Sequence, residues 1–351
     1  MNCFTYLLGA GSSIHAIPVV NLMKPRMRSI IRLLHTLYSL PDDPFPSQYH
    51  ISVTKKRAQE EFYEGIEWLI KSSGNNSIDS YAKKLFHTQE LRTLNKLKAI
   101  LSCYLQLEQS VDEHEVINAL EFHFGELDYR YGHFIARIID SSGHIKPEFK
   151  IISWNYDIQL EKAYMTFFNR NDLSDFLLEE LHSYPIPGRK LVDVNLDQFN
   201  IIRLNGTAGY HLHNGDLYAV FNPSVSSISL YNVGEIIRNY YLYVHQPEFI
   251  RPFINFAWEN NNISEHYIKQ AIRVGSSTKE LIIIGYSFPD FNREIDKKII
   301  SSMSTLERIY IQNTESEAKK IKRLLQDILR NKELEFIIDN NLDQFLLPTT
   351  I

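Results

Sequence analysis

Cysteine is nearly absent from this chain: Cys3 and Cys103 are the two thiols in 351 residues. Neither a disulfide framework nor a four-thiolate zinc ribbon can be built within the chain from so few. Long apolar runs are missing too, since no window approaches the roughly 18 apolar residues of a membrane span, and no basic leader precedes an apolar stretch at the N-terminus. Charge of one sign is also lacking. A formal net charge of -5 gives no general reason to expect nucleic acid, and the clusters Lys55-Lys56-Arg57 and Lys319-Lys320 with Lys322-Arg323 read as solvated helix faces. The expectation is a cytoplasmic protein with no membrane contact and no direct nucleic-acid binding.

What is present is a large apolar fraction, 44% with 12% aromatic residues, enough to fill the core of one large α/β domain with an insertion, or of two domains. The run Phe4-Thr5-Tyr6-Leu7-Leu8 reads as a short buried strand and continues into Gly9-Ala10-Gly11-Ser12-Ser13. A glycine turn between strand and helix lets backbone N–H groups approach a pyrophosphate, while the helix N-terminus supplies partial positive charge. The third glycine of the dinucleotide fingerprint would fall at Ile14, and no acidic residue ends a second strand at the usual distance, so an ordinary Rossmann dehydrogenase is excluded.

Leu22 to Leu40 reads as a helix, stopped by the proline-rich segment Pro41 to Pro46. Amphipathic stretches at about Thr54 to Lys71, Ser77 to Gln109 and Asp112 to Asp140 carry no strand pattern and predict a helical insertion or small helical domain over 41–147. Strand signals return at 149–153, 200–204, 281–284 and 308–311, separated by helical stretches as a buried parallel sheet requires. The prediction is therefore an α/β fold over 1–40 and 148–351, built on a Rossmann-like parallel sheet.

Ligands of open α/β sheets bind beyond the C-terminal ends of the strands. The residues in that position are Trp154-Asn155-Tyr156-Asp157, Asn205-Gly206-Thr207, Gly285-Tyr286-Ser287-Phe288-Pro289 and Gln312-Asn313-Thr314-Glu315. With the Gly9 turn they make five tips bearing glycine, amide, hydroxyl or carboxylate groups, which points to one convergent site.

In this order the tips resemble the sirtuin-like family, in a bacterial form. That family's pattern runs Gly-Ala-Gly-x-Ser, Asn-x-Asp after a strand, commonly His-Gly, then Gly-Thr/Tyr-Ser and a late Asn beside the adenosine. Gly9-Ala10-Gly11-Ser12-Ser13, Asn155-Tyr156-Asp157, Gly285-Tyr286-Ser287 and Asn313 match it, and the segment from Pro41 to Pro147 does not enter the match. The resemblance implies a sirtuin-type sheet topology with a large helical insertion, and NAD as substrate. Gly9, Ala10, Gly11, Ser12, Ser13, Asn205, Gly206, Gly285, Ser287 and Asn313 would then bind it. Asn155 would face the ribose and the attacking water, and Asp157 the nicotinamide side or the supporting loop. Two departures stand out. Asn205-Gly206 replaces His-Gly, and an amide cannot accept a proton near neutral pH, so His211 and His213 are the candidate displaced bases, His211 first. The zinc ribbon of the deacylase branch is missing, so deacylation is disfavoured and no zinc is expected.

The chemistry so implied is cleavage of the nicotinamide–ribose bond, in which a neutral group leaves a cationic precursor and the protein chiefly orients ribose and water. Sirtuin-like proteins of this form resemble effectors that deplete NAD in anti-phage defence. By that analogy the expected restraint is homo-oligomerisation or a partner, such as a translocase-type ATPase or an Argonaute-like protein. The alternative is a non-catalytic module binding NAD or ADP-ribose, suggested by Asn205. Simpler uses compete at each residue. Asn155 and Asp157 can form an Asx turn before a helix near Ile158, Ser12, Ser13 and Ser287 can cap helices, and His211 and His213 alternate as on a strand or hairpin.

Overall fold

Five-residue apolar strands set the architecture. The computed structural model describes residues 3–110, 127–170, 180–219, 229–259, 261–330 and 333–348. Strands β1 (Phe4–Leu8), β2 (Phe149–Ser153) and β8 (Glu280–Ile284) are buried along their whole length, and β9 (Arg308–Gln312) along all but its first residue. That fits strands covered on both faces of a parallel sheet. With β3 (Ser183–Tyr184), β4 (Asn200–Arg203) and β10 (Glu335–Asp339) they form a seven-stranded sheet of order β10-β9-β8-β1-β2-β4-β3. Every pairing in it is parallel. The chain fills one side through β2, β3 and β4, then returns to the other through β8, β9 and β10. This is the Rossmann-like order, and its reversal falls between β1 and β8.

Register aligns the strand ends. Arg203, Ser153, Leu8, Ile284, Gln312 and Asp339 pair in sequence across the sheet, so the residues that follow each of them share one rim. Helices α5 (Tyr129–Ile138), α6 (Gln159–Phe167), α8 (Asn262–Gly275), α9 (Arg293–Ser301) and α10 (Glu315–Ile328) alternate with the strands and complete the first compact unit, Met1–Ile14, Asp128–Gly206 and Asn255–Ile351. Tyr6 meets Phe134 of α5 edge-on, with ring centroids 4.8 Å apart.

The second unit comprises His15–Leu127 and Thr207–Ile254. It holds α1 (Val20–Leu37), α2 (Lys55–Ser73), α3 (Ile78–His87), α4 (Leu91–Ser110) and α7 (Leu230–His245). A small sheet of order β6-β5-β7 joins them, from β5 (Gly206–His213), β6 (Asp216–Ala219) and β7 (Ile250–Ile254). Asn214 and Gly215, both at positive φ, turn the β5–β6 hairpin.

The strands foreseen at 149–153, 200–204, 281–284 and 308–311 lie within a residue of β2, β4, β8 and β9. The helix expected from Ser77 to Gln109 is instead two, broken where Gln89 turns to φ 59. Of the stretch Asp112 to Asp140, α5 is helical and 111–126 lies outside the described residues. The unit boundaries also differ from the expected 41–147: α1 and 207–254 group with the helical unit. The reason is packing, for Met27, Ile30, Leu33 and Leu34 of α1 are buried and Arg26 pairs with the buried Glu108 of α4.

Candidate ligand site at the sheet switch point

The turn after β1 is pinned from two sides. On the β8 side, Gly9 N donates to Ile284 O at 3.1 Å and Gly11 N to Gly285 O at 2.9 Å. A Cβ on Gly11 would stand 2.8 Å from Gly285 Cα, and one on Gly285, whose φ is +59°, would stand 2.3 Å from Gly11 C. The glycines therefore permit two loops to cross backbone against backbone. The amides of Gly9 and Gly11 are spent on that crossing, which leaves Ala10 exposed at the apex.

On the inner side the loop's carbonyls and hydroxyls are held. Arg130 Nη2 donates to Ser12 O at 2.9 Å and Gly11 O at 3.3 Å, while Asp128 pairs with the same guanidinium. Tyr131 Oη bonds Ser12 Oγ (2.9 Å) and Ser13 Oγ (3.0 Å). Asn155 Nδ2 donates to Gly9 O and Ser12 Oγ, both at 3.0 Å, and Asn155 is buried. Ser12 and Ser13 are thus inward anchors, and α1 begins without a side-chain cap.

Asp157 joins the same anchors through a side-chain hydrogen bond with Ser13. Its Oδ1 accepts from Gln159 N at 3.1 Å, an Asx turn that leads into α6. Burial pushes its carboxyl above the usual range, against the pull of the nearby Arg203. Arg203 itself is committed to Glu161 in a buried pair that also receives Ser183 Oγ. At the tip of β4, Asn205 Nδ2 donates to Trp154 O at 3.4 Å and its carbonyl accepts from Asn255 N at 2.8 Å. Its Oδ1, and Asn255 Nδ2, are buried without a hydrogen-bond partner. Gly206 follows at φ 84. On the β8 side Ser287 is exposed, and Asn313 Nδ2 reaches Tyr286 O at 3.5 Å.

The structure thus brings Gly9 to Ser13, Asn155, Asp157, Asn205, Gly206, Gly285, Ser287 and Asn313 to one rim of one unit. His211 belongs to the second unit, on β5 opposite Tyr218. Its ring lies 5.8 Å from that of Tyr218, its Nδ1 is buried without a partner, and burial lowers its pKa to about 4, so it is neutral at neutral pH. The sequence did not point to Asp128, Arg130, Tyr131 or Asp296: Arg130 and Tyr131 reach Ser12 more than a hundred residues away, Asp128 acts through Arg130, and Asp296 joins Tyr286 to the distant Trp154. Among the described residues no group of three or more His, Cys, Asp or Glu is placed to hold a metal, and no helix is long and apolar enough to cross a membrane. Compared with models of known families and with curated proteins, the chain matches none.

Proposed function

We propose that this protein binds NAD along the rim at the β1–β8 switch point and hydrolyses its nicotinamide–ribose bond. The observation that carries the reading is the setting of Asn155. Both protons of its amide are turned inward, to Gly9 O and Ser12 Oγ, so Oδ1 is left to accept from a ribose hydroxyl or a water. An amide oxygen orients a water without deprotonating it, and the departure of neutral nicotinamide asks mainly for orientation and for stabilised oxocarbenium charge. Ala10 and Ser287, each exposed on one of the two crossing loops, are suited to meet the phosphates. Depletion of NAD in anti-phage defence, held in check by self-association or a partner ATPase or Argonaute-like protein, is the role that fits this activity.

A second reading is a binding module for NAD or ADP-ribose without turnover. It is favoured by Asn205, an amide where a base would serve, and by the commitment of Asp157 to Gln159 N. Incubating the purified protein with NAD and following nicotinamide separates the two. Release supports hydrolysis, binding without release supports the module, and neither binding nor release refutes both.

A further inference from the structure

A single carboxylate joins two tips of the rim. Asp296 of α9 is 1% exposed. Trp154 Nε1 donates to its Oδ1 at 3.1 Å and Tyr286 Oη to its Oδ2 at 2.8 Å, while Tyr286 Oη accepts from Asn292 Nδ2 at 3.0 Å. The indole and phenol rings lie 16° from parallel with centroids 6.2 Å apart. Trp154 immediately precedes Asn155, and Tyr286 stands between Gly285 and Ser287. We propose that Asp296 is a positioning residue of the rim: by gripping Trp154 and Tyr286 together, its carboxylate fixes Asn155 and Ser287 relative to one another. The consequence for turnover rests on the NAD reading, whereas the grip itself belongs to the ligand-free protein.

A residue kept only to fill space would not be a carboxylate here. Burial pushes Asp296 up to about 7, with the two hydrogen bonds and Arg293 pulling the other way. Arg293, on the same helix, is the charged group acting on it and donates to Phe288 O and Asp290. From the other elements the facing titratable group is the Tyr286 phenol, held well above its ordinary value and therefore protonated. Helices α8 and α10, which pack on α9, contribute no charged group to those acting on it.

The grip belongs to the ionised form. A carboxylate accepts from both donors at once, whereas a protonated carboxyl keeps both partners only if the Tyr286 phenol turns from donor to acceptor, on an oxygen that already accepts from Asn292. A raised native pKa also means that ionisation costs stability: the contribution of this group is fully present below its unfolded value and lost as pH rises through about 7.

The test is hydrogen exchange of the ligand-free full chain between pH 6 and 8.5, corrected for intrinsic rates, over 154–157 and 285–288. The expected result is that the protection of both segments changes together through one inflection near neutrality. Tyr286→Phe, which removes one donor and keeps the ring, shifts that inflection to higher pH, and Asp296→Asn abolishes it. Segments that respond separately, or not at all, overturn the proposal. In the NAD assay at pH 8, Asp296→Asn is expected to lower kcat about 100-fold with little change in KM. A folded Asp296→Asn protein with wild-type kcat overturns the positioning role, and a wild type without NAD turnover refutes the NAD reading while the exchange data still judge the grip.

Discussion

Asn155 shows how one side chain serves fold and site together. Its Nδ2 donates to Gly9 O and Ser12 Oγ, both on buried residues. Asn155→Ala removes one of two hydrogen bonds from each, since Gly9 O still accepts from Ser12 N at 2.8 Å and Ser12 Oγ keeps Tyr131 Oη, and is expected to cost about 0.5–1.5 kcal/mol. Asn155→Asp keeps the shape but sets an oxygen against Gly9 O, so the Asp variant should be the less stable of the two. Urea or thermal melts give the order, and an Asp variant as stable as the wild type would mean that the amide is turned the other way. Loss of NAD turnover in either variant counts towards the proposed role only in the fraction that remains folded. At this scale the sequence was informative because polar residues just after apolar strands are few and local. It left Asp157 with two uses, and the Asx turn is realised through Gln159 N.

Between elements, the crossing of the β1 and β8 loops is the joint on which the rim depends. Gly285→Ala demands a positive φ from an alanine and drives its Cβ to 2.3 Å from Gly11 C. Strain and overpacking together are expected to cost about 2–4 kcal/mol, seen as a lower urea midpoint at unchanged m-value. A Gly285→Ala protein of wild-type stability would show that the loops do not cross as described. A second joint is the segment after β10. Phe345, 4% exposed, packs edge-on against Tyr131 at 4.7 Å, and Leu342 O accepts from Arg130 Nη1 at 3.1 Å. Gln312 Nε2 donates to Asn341 O and Gln344 O, and Leu346 N donates to Gln312 Oε1. Phe345→Ala should cost about 3–5 kcal/mol and, by loosening Arg130 and Tyr131, raise proteolysis within 9–13; cleavage confined to 340–348 would separate this segment from the loop. The central strands were legible because burial on both faces leaves an apolar run of four or five residues. Strand β3 is two residues long and β10 only half-buried, so neither leaves such a mark. The brace of Arg130 on Gly11 and Ser12 spans more than a hundred residues and has no local pattern to read.

Over the whole molecule, both units bury carboxyl groups whose desolvation outweighs their partners. Helical periodicity announced the second unit, but its recruitment of 207–254 is a matter of which surfaces meet, which no local pattern encodes. Within that unit burial raises Glu108 to about 7 despite Arg26, and within the first unit it raises Asp296 to about 7 and Asp157 in the same direction. All three native pKa values lie above the unfolded ones. For Glu108 and Asp296 the contribution to stability is therefore fully present below the unfolded carboxylate range and is lost as pH rises through about 7, and Asp157 acts in the same sense. The expected outcome is a melting temperature that falls between pH 6 and pH 8.5, with Asp296→Asn showing a shallower fall than the wild type. Glu108→Gln is a less clean probe, because it leaves the Arg26 guanidinium beside a neutral amide and should destabilise at both pH values. Calorimetry at the two pH values decides the matter: a wild-type melting temperature that stays level or climbs towards pH 8.5 would mean that these carboxyls are ionised at little cost in the folded chain.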